Sequence, residues 1–199
     1  AGPWLKKVFG LYHGFDRYDD SAIDSVSGRL ASQVTASALN WVKEHKTEEL
    51  FLFLNYYDPH SPYIPPEKFA WVFTPPGTGT PGRKVTLEER VALYDGEILY
   101  MDRYVGQLLD QLRSDGLYDN ALIIVTADHG ELLGEHGKYG HGNYLHQEEI
   151  HVPLFIKYPR GEVPPKRTDT PIQLVDLMAI ILDRLGLALP PNVQSGLPP

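Results

Sequence analysis

The chain of 199 residues is long enough to form one hydrophobic core, and its 42% hydrophobic content is that of an ordinary globular protein. A formal net charge of −8 argues against a surface that neutralises nucleic-acid phosphates, so we expect no nucleic-acid partner. Because residues 1–199 contain no cysteine, they can form no disulfide and can supply neither a thiolate metal ligand nor a cysteine nucleophile.

The first half of the chain predicts a surface helix and then a buried strand. From Ser27 to Trp41, apolar residues recur at helical spacing opposite polar ones. The run LFLFLNYY, residues 50–57, has the continuous apolar pattern of a strand covered on both faces. It leads into DPHSPYIPP, in which four prolines exclude a helix and favour a rigid, extended loop.

A long helix is the clearest element of the second half. Thr86 and Glu89 have the spacing of a capping box, in which each side chain bonds to the backbone of the other residue. Apolar residues then follow in steps of three and four from Leu87 to Leu112, and Gly116 supplies the end of the helix.

Two further strands and a final helix complete the predicted order. ALIIVTA, residues 121–127, and PLFIKY, residues 153–158, have the composition of buried strands. Thr170 and Pro171 are expected to begin the last helix, which Gly186 closes. All apolar runs are strand-sized, so we expect neither a membrane span nor a leader peptide within this sequence.

Strands that alternate with long helices predict an α/β fold, and strands that are apolar throughout predict a sheet covered on both faces. Ligands of such sheets bind beyond the carboxyl ends of the strands. The loops after Tyr57 and Ala127 begin at such ends, and they carry most of the residues capable of chemistry.

Asp128 and His129 directly follow the strand that ends at Ala127, and Gly130 lets the chain turn there. A carboxylate oxygen and an imidazole nitrogen in adjacent positions can bind one divalent cation. The competing interpretation is that Asp128 caps a following helix and that His129 has no role.

His60 lies in the proline-rich loop, whose fixed backbone would hold an imidazole ready to contact a reacting oxygen or to move a proton. The alternative is a loop histidine that bonds only to the backbone. Asp58 either orients the ring of His60 or closes an Asx turn with Pro59, and we favour the turn.

The glycine-rich segment after Asp128 offers His141 and Lys138 as contacts for an anionic substrate, unless it is simply a solvated loop. Glu131 and Glu135 are expected to face solvent or to cap. The pair Asp19–Asp20 is a weak metal candidate, because no buried strand precedes it. The remaining histidines are expected to be solvated or structural: His13, His45, His136, His146 and His151.

Residues 94–159, from YDGEILYMDRY through ALIIVTADHGELLGEHGKYGHGNYLHQEEIHVPLFIKYP, resemble the later half of a sulfatase catalytic domain. FLFLNYYDPHSPYIPP is similar to the family's strand and His-x-Pro loop. GFDRYDD and LVDLMAIILDRLGLALP resemble the flanking segments, so the resemblance covers nearly the whole chain. It implies an alkaline phosphatase-like fold: a three-layer sandwich with a covered, mixed, mainly parallel sheet that is incomplete on its N-terminal side.

The resemblance also implies roles for single residues. Asp128 and His129 match the second pair of metal ligands, with calcium the favoured divalent cation and magnesium, manganese or zinc as alternatives. His60 matches the histidine that contacts the sulfate and assists the leaving group. His141 matches a substrate-binding lysine of many members, and Lys138 is the alternative for that role.

The family's nucleophile is a formylglycine made from a Cys/Ser-x-Pro-x-Arg motif, and this sequence contains no such motif. We therefore expect residues 1–199 to be a partial catalytic domain without the N-terminal half and the C-terminal subdomain, and to be inactive alone. Its parent is expected to hydrolyse a sulfate ester or another anionic ester, in the periplasm or after secretion.

Two alternatives remain open. Many sulfatases have asparagine in place of His129, and histidine there favours a phosphonate or phosphodiester hydrolase of the same superfamily. A non-catalytic, sulfatase-like interaction domain is the other alternative, and an exposed sheet edge would let such a chain self-associate.

Overall fold

The computed structural model describes residues 2–21, 23, 28–74 and 85–197. The helices are α1 (Ala31–His45), α2 (Glu67–Phe73), α3 (Leu87–Ser114), α4 (Gln147–Ile150) and α5 (Asp176–Arg184). The strands are β1 (Ile123–Thr126), β2 (Leu132–Leu133), β3 (Tyr139–Gly140) and β4 (Leu154–Lys157). Short 3-10 helices cover Pro3–Leu5, Lys7–Phe9, Glu135–Gly137 and Pro159–Gly161.

Helix α3 confirms the capping box. The backbone N–H of Glu89 donates to the Thr86 hydroxyl over 3.2 Å, and the Thr86 N–H donates to the Glu89 carboxyl over 2.8 Å. The glycine stop is confirmed as well, because Gly116 follows the helix with φ of +73°, a conformation that favours glycine.

Helix α1 begins at Ala31, and the predicted start at Ser27 lies outside the described residues. The Ala31 N–H, which has no partner within its own helix, donates to Asp58 Oδ1 over 3.0 Å. The preferred Asx turn at Asp58 is therefore wrong, because the carboxylate caps a helix 27 residues away in the chain.

The main core lies between α1 and α3. Ala38 and Val42 of α1 meet Leu108 and Leu112 of α3, and the even-numbered leucines of residues 50–54 pack against this cluster. Phe51 and Phe53 point to the opposite side, where their residues are 61% and 65% exposed. This segment therefore has one buried face and one apolar face in solvent.

The strand predicted over residues 50–57 is wrong for this structure, because the segment has no strand assignment. A strand exists only where its backbone pairs with a neighbour, and the strands of the described residues pair elsewhere. The apolar pattern correctly predicted that the leucines are buried. They are buried against helices, however, and such packing does not require a sheet.

The other two predicted strands are confirmed as β1 and β4, which pair with each other in antiparallel register from Ile123–Lys157 to Thr126–Leu154. Strands β2 and β3 also pair antiparallel. Both strand pairs of the described residues are antiparallel, so the mainly parallel sheet that was expected is not found among these residues.

Two helix predictions need correction. Helix α2 was not predicted, because the prolines before it suggested an extended loop, although a proline immediately before a helix is well tolerated. The last helix begins at Asp176 rather than near Thr170, and the Gln173 N–H donates to Asp176 Oδ2 over 2.9 Å. The Asp176 side chain thus bonds to the turn that precedes the helix.

Candidate active site

Imidazole rings from three loops meet beyond the ends of residues 50–57 and of β1. The rings of His129 and His141 stack with centroids 3.8 Å apart, and the ring of His60 meets that of His141 edge-on at 5.3 Å. Tyr57 stacks on the other side of His60 at 4.3 Å. Three residues separated by as many as 81 positions in sequence therefore share one small site.

Each of these imidazoles has one ring nitrogen bonded to an oxygen of the protein. The Nδ1 atom of His60 lies 2.7 Å from the Ser61 carbonyl oxygen, and that of His129 lies 2.8 Å from the Gly130 carbonyl oxygen. The Nδ1 atom of His141 lies 3.0 Å from Glu131 Oε1. Because a carbonyl can only accept, Nδ1 of His60 and of His129 carries a proton, and Nε2 is the ring nitrogen that remains available to a ligand.

Asp128 and His129 face each other rather than diverging. Asp128 Oδ1 lies 3.8 Å from His129 Nε2, and the Asp128 side chain is 82% exposed. No helix begins at Asp128, since the next element is β2, so the helix-cap interpretation is wrong. Among the residues that the structure describes, no group of three or more His, Cys, Asp or Glu side chains is arranged to hold a metal ion.

Gly130 is required by close packing. A Cβ atom at this position would lie 2.0 Å from the Glu148 carbonyl oxygen, and the Gly130 N–H donates to the Glu149 carbonyl oxygen over 2.7 Å. The backbone after His129 is thus pressed against α4, and this contact fixes the direction in which the His129 ring points.

Glu131 is a site residue that the sequence interpretation missed, because it was expected to face solvent or to cap. Its side chain is 5% exposed, and while Oε1 holds His141, Oε2 accepts the hydroxyl of Tyr63 over 2.7 Å. Burial and this bond raise the pKa of Tyr63 well above its usual range, so the phenol remains a donor. Glu131 therefore joins the His60 loop to the His141 loop, and no short-range sequence signal could have shown it.

Asp128 also acts on Tyr57 through its charge. Burial, and then the negative charge of Asp128, raise the pKa of the Tyr57 phenol. The Tyr57 ring has no space beside it, because a Cβ atom at Gly28 would approach Cδ1 to 2.1 Å. The ring on which His60 stacks is therefore packed closely against Gly28.

Lys138 contacts a different group of rings. Its ammonium nitrogen lies 5.2 Å from the centre of the Tyr144 ring, and Tyr144 in turn neighbours His146. His146 stacks on His136 at 4.0 Å. The contacts thus place His141 in the three-imidazole site and Lys138 in a neighbouring cluster.

The pair Asp19–Asp20 has structural partners. Asp19 forms an ion pair with Arg29 at 3.0 Å and accepts bonds from Ser21 and Ser37. Burial opposes ionisation of Asp19, but these bonds hold its pKa far below the usual range. Asp20 accepts the Lys7 N–H over 2.9 Å.

Comparison with known proteins places this geometry in context. A model of the Sulfatase family matches residues 5–187. An N-acetylglucosamine-6-O-sulfatase of Bacteroides thetaiotaomicron is 33% identical over 103 residues, which are 51% of this chain and 18% of that protein. The matched segment thus covers less than a fifth of the length of that relative.

Solved structures share the fold. A candidate sulfatase, yidJ, from Bacteroides fragilis matches 83% of this chain and 39% of its own, with a TM-score of 0.73 and 22% identity. The phosphonate monoester hydrolase SpPMH from Silicibacter pomeroyi matches 98% of this chain and 48% of its own, with a TM-score of 0.70 and 24% identity. At these identities the likeness concerns the mixed α/β fold alone.

Within residues 2–21, 23, 28–74 and 85–197, no helix is both long enough and apolar enough to cross a bilayer.

Proposed function

The chain belongs to the sulfatase family, and on that premise we propose that it supplies one side of a metal-dependent active site that hydrolyses sulfate esters in a longer protein. The observation that carries this proposal is the convergence of His60, His129 and His141, with Asp128 beside them. Three imidazoles around one exposed carboxylate form a suitable surface for a small tetrahedral anion held by a cation.

Asp128 and His129 are the proposed ligands of a divalent cation, with calcium favoured and magnesium, manganese or zinc as alternatives. Two donors on one cation lie within about 4.5 Å of each other, a limit that their separation of 3.8 Å meets. The bond from His129 Nδ1 to the Gly130 carbonyl leaves Nε2 free and orients the ring, as expected of a ligating histidine. A bound cation would supply charge for the sulfate oxygens and the nucleophile.

His60 and His141 are the proposed catalytic residues. The Nε2 atom of His60 contacts the sulfate or, when the ring is protonated, donates to the leaving oxygen. His141, whose Nδ1 is held by Glu131, directs Nε2 to the anionic group. The position of Lys138 over Tyr144 makes it the second candidate for that contact.

We further propose that residues 1–199 act only together with the rest of the catalytic domain. The sequence contains no cysteine and no Ser-x-Pro-x-Arg motif, so the nucleophile must come from elsewhere. The exposed face of Phe51 and Phe53 supports an additional sheet layer there, as in a three-layer sandwich. The parent protein is proposed to act in the periplasm or after secretion.

The test is hydrolysis of an aryl sulfate by the full-length protein that contains this chain. His60→Ala and His141→Ala should each lower kcat by about 100-fold or more, which is the usual contribution of an acid–base group. Asp128→Asn should weaken calcium binding in calorimetry. His13→Ala is the matched control, because His13 stacks on Tyr12 away from these rings. Full activity of His60→Ala would refute the assignment.

A second candidate is a phosphonate or phosphodiester hydrolase, which the histidine at position 129 and the likeness to a phosphonate monoester hydrolase favour. Aryl sulfate and aryl phosphonate monoester, compared at equal concentration, separate the two functions by their ratio of kcat/KM. Faster turnover of the phosphonate would replace the first proposal by the second.

A further inference from the structure

Glu97 is a buried acid at the middle of α3, with only 6% of the residue exposed. Its neighbour Gly96 allows the helix to touch the end of the proline-rich loop, since a Cβ atom there would lie 3.0 Å from both Pro65 Cγ and the Phe69 carbonyl oxygen. The Glu97 side chain therefore reaches the loop from a helix backbone that packs directly against the end of that loop.

The loop has few hydrogen-bond donors of its own. Because proline has no N–H, the backbone donors that follow Asp58 in the loop of residues 58–66 are those of His60, Ser61, Tyr63 and Ile64. Glu97 Oε1 accepts the Ile64 N–H over 2.7 Å, whereas the His60 N–H donates to the Asp58 carbonyl oxygen over 2.7 Å. Glu97 thus binds the loop directly, two residues after Pro62 and four residues after His60.

We propose that Glu97 is a positioning residue, which fixes the loop backbone at Ile64 and so holds the His60 imidazole against Tyr57 and His141. This inference rests on the proposed function of His60. Glu97 acts on His60 over a short distance, because both residues line the same cavity of about 50 Å³.

The same cavity explains the form in which Glu97 acts. Glu97 Oε2 and Asp58 Oδ2 are buried without a hydrogen-bond partner, and both residues line this space. Burial, and then the nearby charge of Asp58, raise the pKa of Glu97 to about 8 against the bond from Ile64. In its protonated form the carboxyl accepts the Ile64 N–H through one oxygen and presents its hydroxyl to the cavity.

The test uses two variants of nearly equal shape in the full-length protein. Glu97→Gln keeps an acceptor oxygen and should retain aryl sulfatase kcat within about 3-fold, since a neutral carboxyl and a carboxamide offer the same bond. Glu97→Met removes the acceptor and should lower kcat by about 10-fold to 100-fold with less change in KM, because a displaced catalytic group costs this much. Asp102→Asn, an exposed change on the same helix, is the control.

Two readouts separate positioning from general stability. Hydrogen exchange by mass spectrometry of residues 58–66 should show lost protection in Glu97→Met and retained protection in Glu97→Gln. In a double-mutant cycle, Glu97→Met should lower kcat no further once His60→Ala is present. An equal loss in that background, or unchanged exchange in Glu97→Met, would overturn the proposal.

The outcomes also distinguish this proposal from the proposed function. If the wild-type protein does not hydrolyse sulfate esters, the function fails, whereas hydrogen exchange still decides whether Glu97 holds the loop. If Glu97→Met does not fold, Glu97→Gln decides: a folded variant in which residues 58–66 exchange freely would overturn the proposal.

Discussion

The buried carboxyl of Glu97 predicts that the protein loses stability as the pH rises, even though most acids of a folded protein have the opposite effect. The pKa of this group is about 8 in the folded chain, against an ordinary value of 4.5, so the folded protein binds the proton more tightly. Stability from this group is complete below pH 4.5 and is lost as the pH rises through 8. Each pKa unit corresponds to about 1.4 kcal/mol, so the total loss is about 5 kcal/mol.

Urea unfolding at pH 5, 6.5 and 8 measures this loss as the difference in unfolding free energy between wild type and Glu97→Gln. The amide cannot ionise, so the difference should move in favour of Glu97→Gln as the pH rises. Asp58, whose pKa is also raised by burial, is common to both proteins and largely cancels. A difference that stays constant over this range would refute the reasoning.

Three further predictions follow from close contacts and exposed surface. Glu131→Gln should lower kcat by about 10-fold, because the amide oxygen can replace only one of the two carboxylate oxygens that hold Tyr63 and His141. An unchanged kcat and pH–rate profile would contradict the role of Glu131 in orienting His141. Gly130→Ala should cost about 1–3 kcal/mol in thermal unfolding, whereas Gly106→Ala, with nothing within 4 Å, should stabilise α3. The isolated chain should self-associate in size-exclusion chromatography with light scattering, and Phe51→Lys with Phe53→Lys should yield monomers. A monomeric wild-type chain at the same concentration would contradict the last prediction.

The sequence alone determined the elements whose signals are local. The capping box of Thr86 and Glu89 spans four consecutive residues, so its pattern fixes the start of α3 wherever that helix packs. The apolar runs that became β1 and β4, and the placement of Asp128 just beyond the end of a strand, belong to the same class. Each depends on chemistry within a few residues, which periodicity and turn preferences record.

Only the tertiary structure decided which distant groups meet. Tyr63 bonds to Glu131 across 68 residues and Ile64 to Glu97 across 33, and no spacing rule relates such positions. Likewise, the apolar run of residues 50–57 carried the signal for burial but none for pairing, because a strand needs a partner whose position the local sequence does not encode. The candidate histidines could therefore be predicted one by one, whereas the carboxyl groups that orient them depend on how the helices and loops pack.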